Sequence, residues 1–321
     1  MIMKFTLATV LNTTVILGIC SCFLMLLLNR RWYKKLPVRV VLLACIAIMI
    51  RFLIPFEFPF TVSVYISKFW PHIYLFFRHP VVMNSGVTVH LYQVLFVLWG
   101  AFSIFLLLRL YLKSLHLKRE IASLSDETDP LVNSILDKIN QQYKHFRHVR
   151  IAVSNDVNTT PYITGILNPT IVLPDIKWDK QELSFILGHE LTHFYNHHLH
   201  IKIVCEVISS LYFWNPFVHL LKRQIFKLLE TETDSIFTAS MSDEKRLAYA
   251  ECVLNMSRLQ YLSPRLGTSF APRCKSNLYQ RMQILLGDRE SKKKLPTFLL
   301  SAFVLLMFSL NFVFIFESSY L

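Results

Sequence analysis

The sequence predicts an α-helical membrane protein of about four transmembrane helices carrying a compact α+β domain on its cytoplasmic side. Three observations predict it. Of the 321 residues 53% are hydrophobic and only 17% are charged, which is too apolar for an ordinary soluble domain. The excess is concentrated in four runs, 5–28, 38–60, 88–112 and 296–316, each matching the roughly 20 residues a helix needs to cross a bilayer. Basic residues crowd the ends of these runs on one side only.

The first run is too long for a cleaved leader and is followed by "NRRWYKKLP" in place of a small-residue cleavage site, so it reads as a retained span. Arg51 and two prolines interrupt the second. Arg30, Arg31, Lys34, Lys35 and Arg39 follow the first span, Lys113, Lys118 and Arg119 follow the third, and Arg289, Lys292, Lys293 and Lys294 precede the fourth. The loop between the second and third carries little beyond Lys68 and Arg78. The positive-inside rule then puts 29–37 and 113–295 in the cytoplasm and both ends of the chain outside. The expected organisation is three helices in 1–112 with a basic inner loop (29–37) and an outer loop (57–87), a cytoplasmic domain in 113–295, and a fourth helix with a short outer tail in 296–321.

Net charge is +13. Because the basic residues flank spans and do not form one face interleaved with aromatics, they serve orientation and attraction to an anionic leaflet, and direct nucleic-acid binding is not expected. The six cysteines, Cys20, Cys22, Cys45, Cys205, Cys252 and Cys274, include no CxxC pair. They give neither a disulfide framework nor a thiolate zinc site.

Within the long inner segment, 119–146 reads as helical, with Leu131, Ile135 and Ile139 at helical spacing. "HVRIAVS" and "PYITGILNPTIVLP" read as strands, punctuated by Pro161, Gly165, Asn168, Pro169 and Pro174. In "DKQELSFILGHELTHFYNHH", Asp179 with Glu182 three residues on is a capping-box pattern ahead of an apolar stripe, which predicts a helix. Residues 203–222 are apolar but broken by Glu206 and Asn215-Pro216. They predict a buried or membrane-surface helix pair in preference to a fifth crossing.

Five histidines fall in 186–200. His189 and His193 are one helical turn apart, so their rings can converge on one ion. Glu190, beside the first, sits where a metal-bound water would need a general base. His197 would stand about 12 Å further along the same helix and cannot join them without a break. The metzincin extension would need Gly at 196 and His at 199, where this chain has Asn196 and Leu199. His197, His198 and His200 are therefore expected at the surface or behind the ligands. A catalytic site wants a third protein ligand, and "KLLETETDSIF" offers Glu230 and Asp234 on one face with Glu232 turned away. An acidic, solvent-facing helix would give the same pattern. Tyr195, His197 and His200 are within reach as oxyanion donors.

"PYITGILNPTIVLP", "LSFILGHELTHFYNHH", "YFWNPFVHLLKRQIFKLLETETD" and, more weakly, "RLAYAECVLNMS" resemble the integral-membrane zinc metallopeptidases of the BlaR/MecR type, the β-lactam sensor-transducers and their antirepressor relatives. The resemblance covers roughly 90–290. It implies a gluzincin-like site on one catalytic Zn2+, with His189, His193 and Glu230 as ligands, Glu190 as general base and Asp234 behind the ligands. It further implies cleavage of a cytoplasmic transcriptional repressor, often preceded by self-cleavage, here expected in the loop 262–276. Substrate would add to a sheet edge, for which "PTIVLP" is the expected strand. The β-lactam receptors carry a penicillin-binding sensor after the fourth span, whereas this chain ends at "ESSYL". Direct β-lactam detection is thus not expected, and a signal would enter through 57–87, lipids or another protein. The expected location is a bacterial plasma membrane. Expected partners are membrane lipids, the repressor and, as an open option, a second copy in a homodimer. Two rivals remain: a membrane quality-control zinc protease, and a non-catalytic sensor or immunity protein with a closed structural metal site.

Overall fold

The computed structural model describes residues 7–27, 38–53, 62–66, 70–84, 87–127, 129–143, 148–156, 160–262, 275–287, 302 and 314–318. In chain order the elements are α1 (Leu7–Leu27), α2 (Val38–Arg51), β1 (Val62–Ile66), α3 (Trp70–Phe77), β2 (Pro80–Asn84), β3 (Val87–His90), α4 (Leu91–Ala122), β4 (Ser125–Asp126), α5 (Pro130–Asn140), β5 (Arg150–Ser154), β6 (Tyr162–Thr164), β7 (Thr170–Pro174), α6 (Lys180–Tyr195), α7 (His198–Leu211), α8 (Pro216–Phe237), α9 (Asp243–Leu262), α10 (Lys275–Leu285) and β8 (Phe314–Ser318). They form two compact units. One comprises Met1–Tyr111, Cys205–Ile225 and Lys292–Leu321, the other Leu112–Val204 and Phe226–Ser291.

In the first unit, α4 is the helix among the described residues that is long and apolar enough to cross a membrane. Its apolar side chains Phe96, Val97, Leu98, Ile104, Phe105 and Leu108 are more than half exposed, a surface suited to lipid and costly in water. Of the second expected span, Val38–Arg51 is helix and 52–53 are a turn, and the remainder lies outside the described residues. Pro55 has no N–H to bond the carbonyl of Arg51, four residues before it. The expected outer loop is structured: β2 and β3 pair antiparallel, and β1 pairs in parallel with β8. The fourth expected span differs at its end, where 314–316 are strand and not helix. Phe314, Ile315 and Phe316 are β-favouring residues and find backbone partners in β1. The rest of that span, apart from 302, lies outside the described residues, as does 263–274 of the expected self-cleavage loop.

The second unit is built on a four-stranded sheet of order β4-β5-β7-β6. β5 and β7 run parallel, with β4 and β6 antiparallel at the edges. The expected edge strand "PTIVLP" is therefore a central strand, buried at all five positions of β7, and β6 is the edge on that side. Alternation of apolar residues could not reveal this, because a fully apolar strand such as "TIVLP" is what a sheet centre requires. Gly165 makes the β6–β7 turn with φ of 85°, and a Cβ there would meet Asn168 O at 2.2 Å. Helix α5 starts at Asp129, whose carboxylate accepts from Leu131 N at 2.8 Å, with Pro130 at the first position. It buries Val132, Ile135 and Leu136, while Leu131 is 44% exposed. The core joins these residues to Ile151, Ile163, Ile171 and Leu173 of the sheet, Leu183, Leu187 and Leu191 of α6, and Tyr249 and Val253 of α9.

Candidate metal centre

Helix α6 is capped by Asp179, whose carboxylate accepts from Gln181 N at 3.0 Å, and is buried along most of its length from Leu183 to Phe194. Burial that complete requires close approach by its neighbours, and Gly188 permits it. A Cβ at Gly188 would stand 2.3 Å from Phe237 Cε2 of α8. Gly188→Ala must displace the Phe237 ring and so disturb the α6–α8 packing immediately beside His189. Overpacking of this kind costs about 1–3 kcal/mol, so a lowered melting temperature with weakened metal binding is expected; unchanged values for both would show that the helices yield freely here.

The two helices bring three ligand atoms together. His193 Nε2 lies 3.2 Å from His189 Nε2, Glu230 Oε2 lies 3.7 Å from His189 Nε2, and Glu230 Oε1 lies 3.6 Å from His193 Nε2. All three ligand atoms fall within 4.8 Å of one another. Tetrahedral zinc with bonds of about 2.0–2.1 Å separates its ligand atoms by roughly 3.3 Å. The cluster fits such an ion, and no fourth histidine, cysteine or carboxylate joins it among the described residues. Burial foremost pulls the His193 imidazole down to about 3, which keeps it neutral, the form that binds metal. For Glu230 burial alone would favour the protonated acid, but the Lys202 charge and hydrogen bonds from the His189 and His193 rings outweigh it and hold the carboxyl well below its usual range.

Each histidine is backed by its own chain of groups. Tyr249 Oη is 2.8 Å from His189 Nδ1 and donates to Asp234 Oδ1 at 2.7 Å. Asp234, fully buried, is held by Arg281 through Nε at 2.6 Å and Nη2 at 2.8 Å. Asp234 Oδ1 is 3.5 Å from His189 Nδ1, so Tyr249 stands between the two as the closer partner. On the other ring, His198 Nδ1 is 2.8 Å from His193 Nδ1, with Thr233 Oγ1 within 3.3 Å of both. His198 Nε2 lies 3.3 Å from Glu232 Oε2. Such outer partners fix ring orientation and tautomer.

Helix α6 ends at Tyr195, and His197 takes a left-handed φ of 59°, the conformation that ends helices. This break folds the chain back so that His198 is buried against His193, while His197 and His200 stay exposed with rings 5.3 Å apart. Tyr195 is directed elsewhere: it hydrogen-bonds Asn140 and stacks on Tyr143 at 4.0 Å. Glu232, which sequence spacing turns away from the ligand face, meets His198.

Glu190 Oε2 accepts from Ile163 N of β6 at 2.9 Å, so the carboxylate lies against the edge strand of the sheet. Burial is the main reason its carboxyl is pushed up to about 7, with Glu230 adding to the rise and His189 and Lys202 opposing it. Sequence reasoning missed Tyr249 and Arg281, which lie 60 and 92 positions after His189 with no periodic link to it. The one available signal was that Tyr249 falls in "RLAYAECVLNMS".

A family model described as BlaR1 peptidase M56 matches residues 1–285. The chain is 25% identical over 123 residues to the methicillin resistance mecR1 protein of Staphylococcus aureus, covering 37% of this chain and 20% of that one. The same figures hold for the mecR1 protein of Staphylococcus epidermidis. It is 27% identical over 155 residues to the regulatory protein BlaR1 of Staphylococcus aureus, covering 47% of this chain and 25% of that one. The chain thus spans between a fifth and a quarter of the length of the curated relatives it matches.

Proposed function

The chain belongs to the BlaR1 peptidase M56 family, a family of membrane metallopeptidases linked to signalling, and from this premise we propose that it is a zinc endopeptidase whose gluzincin-like domain cleaves a cytoplasmic transcriptional repressor. The observation that carries the reading is the convergence of His189, His193 and Glu230 with a carboxylate, Glu190, lying between that cluster and a sheet edge. The membrane arrangement proposed with it has four spans, residues 113–295 inside, and both ends outside, in a bacterial plasma membrane.

In this reading His189, His193 and Glu230 would hold the ion, with Asp234 behind His189 through Tyr249. Bound zinc would acidify a water and polarise the scissile carbonyl. Glu190 takes the proton of the attacking water and returns it to the leaving amine. The substrate backbone adds to β6, whose Ile163 N–H is directed to Glu190 and away from β7, so the extended peptide runs past the general base. His189 is kept in one tautomer by Tyr249, and His193 by His198, so that both present Nε2 to the ion.

Removing a whole ligand costs more than removing a supporting partner, which typically costs about 10–100-fold in metal affinity. Glu230→Ala is expected to exceed that loss in zinc affinity, measured by competition with a chromogenic chelator; full retention would remove Glu230 from the ligand set. The substrate class is tested by cataloguing new protein N-termini in cells expressing the wild type or Glu190→Gln. A cut in a DNA-binding repressor found only with the wild type supports the proposal. Cuts spread over many damaged membrane proteins would support quality control instead, and no difference would leave a sensor with a structural metal site.

A further inference from the structure

The α7–α8 hairpin has a surface unsuited to water. Between Lys202 and Arg223 its exposed residues are Ile203, Val204, Trp214, Pro216 and Leu220, none of them charged. The two charged residues inside that interval, Glu206 and Lys222, are part-buried and pair with each other at 3.1 Å. Residues 205–225 also belong compactly with Met1–Tyr111, the unit that contains α1, α2 and α4.

The turn of the hairpin touches α1 and α4 part-way along their lengths and the chain just past the end of α2. On α1, a Cβ at Gly18, near the middle of Leu7–Leu27, would stand 2.9 Å from Phe217 Cδ2. On α4, Trp99 Nε1 donates to Leu211 O at 2.7 Å and Phe102 packs on Phe213 with ring centroids 4.5 Å apart. At the end of α2, Tyr212 Oη donates to Phe52 O at 2.8 Å. At about 1.5 Å per residue, Trp99 lies roughly 12 Å along α4 from Leu91 and Phe52 roughly 21 Å along α2 from Val38. In the proposed topology these depths are measured from opposite faces, and they add up to the roughly 30 Å of a bilayer core.

Four backbone groups at or beside the turn have side-chain partners, as lipid requires, where a backbone group without a partner costs several kcal/mol; the Asn215 amide nitrogen is buried with no hydrogen-bond partner among the described residues. Leu211 O is met by Trp99 and Phe52 O by Tyr212. Phe213 O is met by His219 Nε2 at 2.9 Å. Phe217 N, at the start of α8, donates to Asn215 Oδ1 at 2.9 Å. Side chains supply the partners that water supplies to an exposed turn.

We propose that the α7–α8 hairpin is a re-entrant element: it enters the bilayer from the cytoplasmic face, turns at Asn215-Pro216 near mid-depth, and presents Trp214 and Leu220 to lipid acyl chains. This rests on the membrane reading of α4 given above. The helix that supplies Glu230 thus begins inside the bilayer.

The test is modification of introduced cysteines by a membrane-impermeant maleimide in the full chain, read at each site by peptide mass spectrometry. Inside-out vesicles are compared with intact cells. Asp243→Cys, at a side chain 93% exposed, reports the cytoplasmic face, and Phe105→Cys reports the lipid face of α4. Trp214→Cys is expected to react at least tenfold more slowly than Asp243→Cys in inside-out vesicles, to stay unmodified in intact cells, and to react once the membrane is dissolved in SDS. Because Trp214 is 46% exposed, such protection reports lipid and not protein packing. Trp214→Cys reacting as fast as Asp243→Cys while Phe105→Cys stays protected would overturn the hairpin's insertion and leave the α4 span intact. Modification of Trp214→Cys from the outside would replace re-entry by a full crossing. Modification of Phe105→Cys itself would remove the membrane reading and this proposal with it.

Discussion

Glu190→Gln is expected to lower peptide hydrolysis by about 10²–10⁴-fold, the usual worth of a positioned general base, while zinc content stays at the wild-type level. The amide keeps the size of the carboxylate but cannot take a proton from water. Zinc is spared because Glu190 is not among the three converging ligand atoms and its carboxylate faces Ile163 N of the edge strand. Purified protein assayed with a peptide substrate, with metal counted by mass spectrometry, checks both halves. Activity within threefold of wild type would remove Glu190 from the mechanism, and loss of zinc along with activity would make it a ligand.

Arg281→Ala carries the second large effect, on stability. Its guanidinium makes two hydrogen bonds to a carboxylate with no exposed surface, and it also lies 3.8 Å from Glu230 Oε2. Burial alone would lower the arginine's proton affinity, but Asp234 foremost raises it well above its ordinary range. Cutting one partner from a buried pair leaves the other charge uncompensated, at a cost of about 3–5 kcal/mol. A drop of that size in denaturant-measured stability is expected, together with weaker zinc binding through Tyr249 and His189. Adding Asp234→Asn to Arg281→Ala should recover part of the stability, since it removes the stranded charge. Strict additivity of the two losses would show that the pair is not coupled.

How much of this was legible beforehand depends on how local each feature is. The helix 180–195 was readable from Asp179 and the apolar stripe behind it, and a one-turn spacing is enough to stack His189 over His193. The strands near 150–174 were readable from composition and from turn residues such as Gly165. The edge assignment was not: the sequence favoured "PTIVLP", but β7 lies between β5 and β6, because strand order is set by pairing between segments and not by the residues of one segment. Helical spacing alone likewise left the buried face of α5 open: Leu131 is 44% exposed, while Val132, Ile135 and Leu136 face the core.

By itself the sequence determined the apolar runs, the basic residues that flank them, the HExxH helix and the carboxylate-bearing helix that follows, since each depends on contacts within a few residues. Only the tertiary structure decided that Glu230 meets both histidines, that Tyr249 and Arg281 stand behind one ring and His198 behind the other, and that Trp99 meets Leu211 O and Tyr212 meets Phe52 O. Apart from His198, five positions after His193, those partners lie tens to more than a hundred positions apart. Hydrogen-bonded and ligand geometry is fixed to within a few tenths of an ångström, and at that separation only the packed chain can supply it.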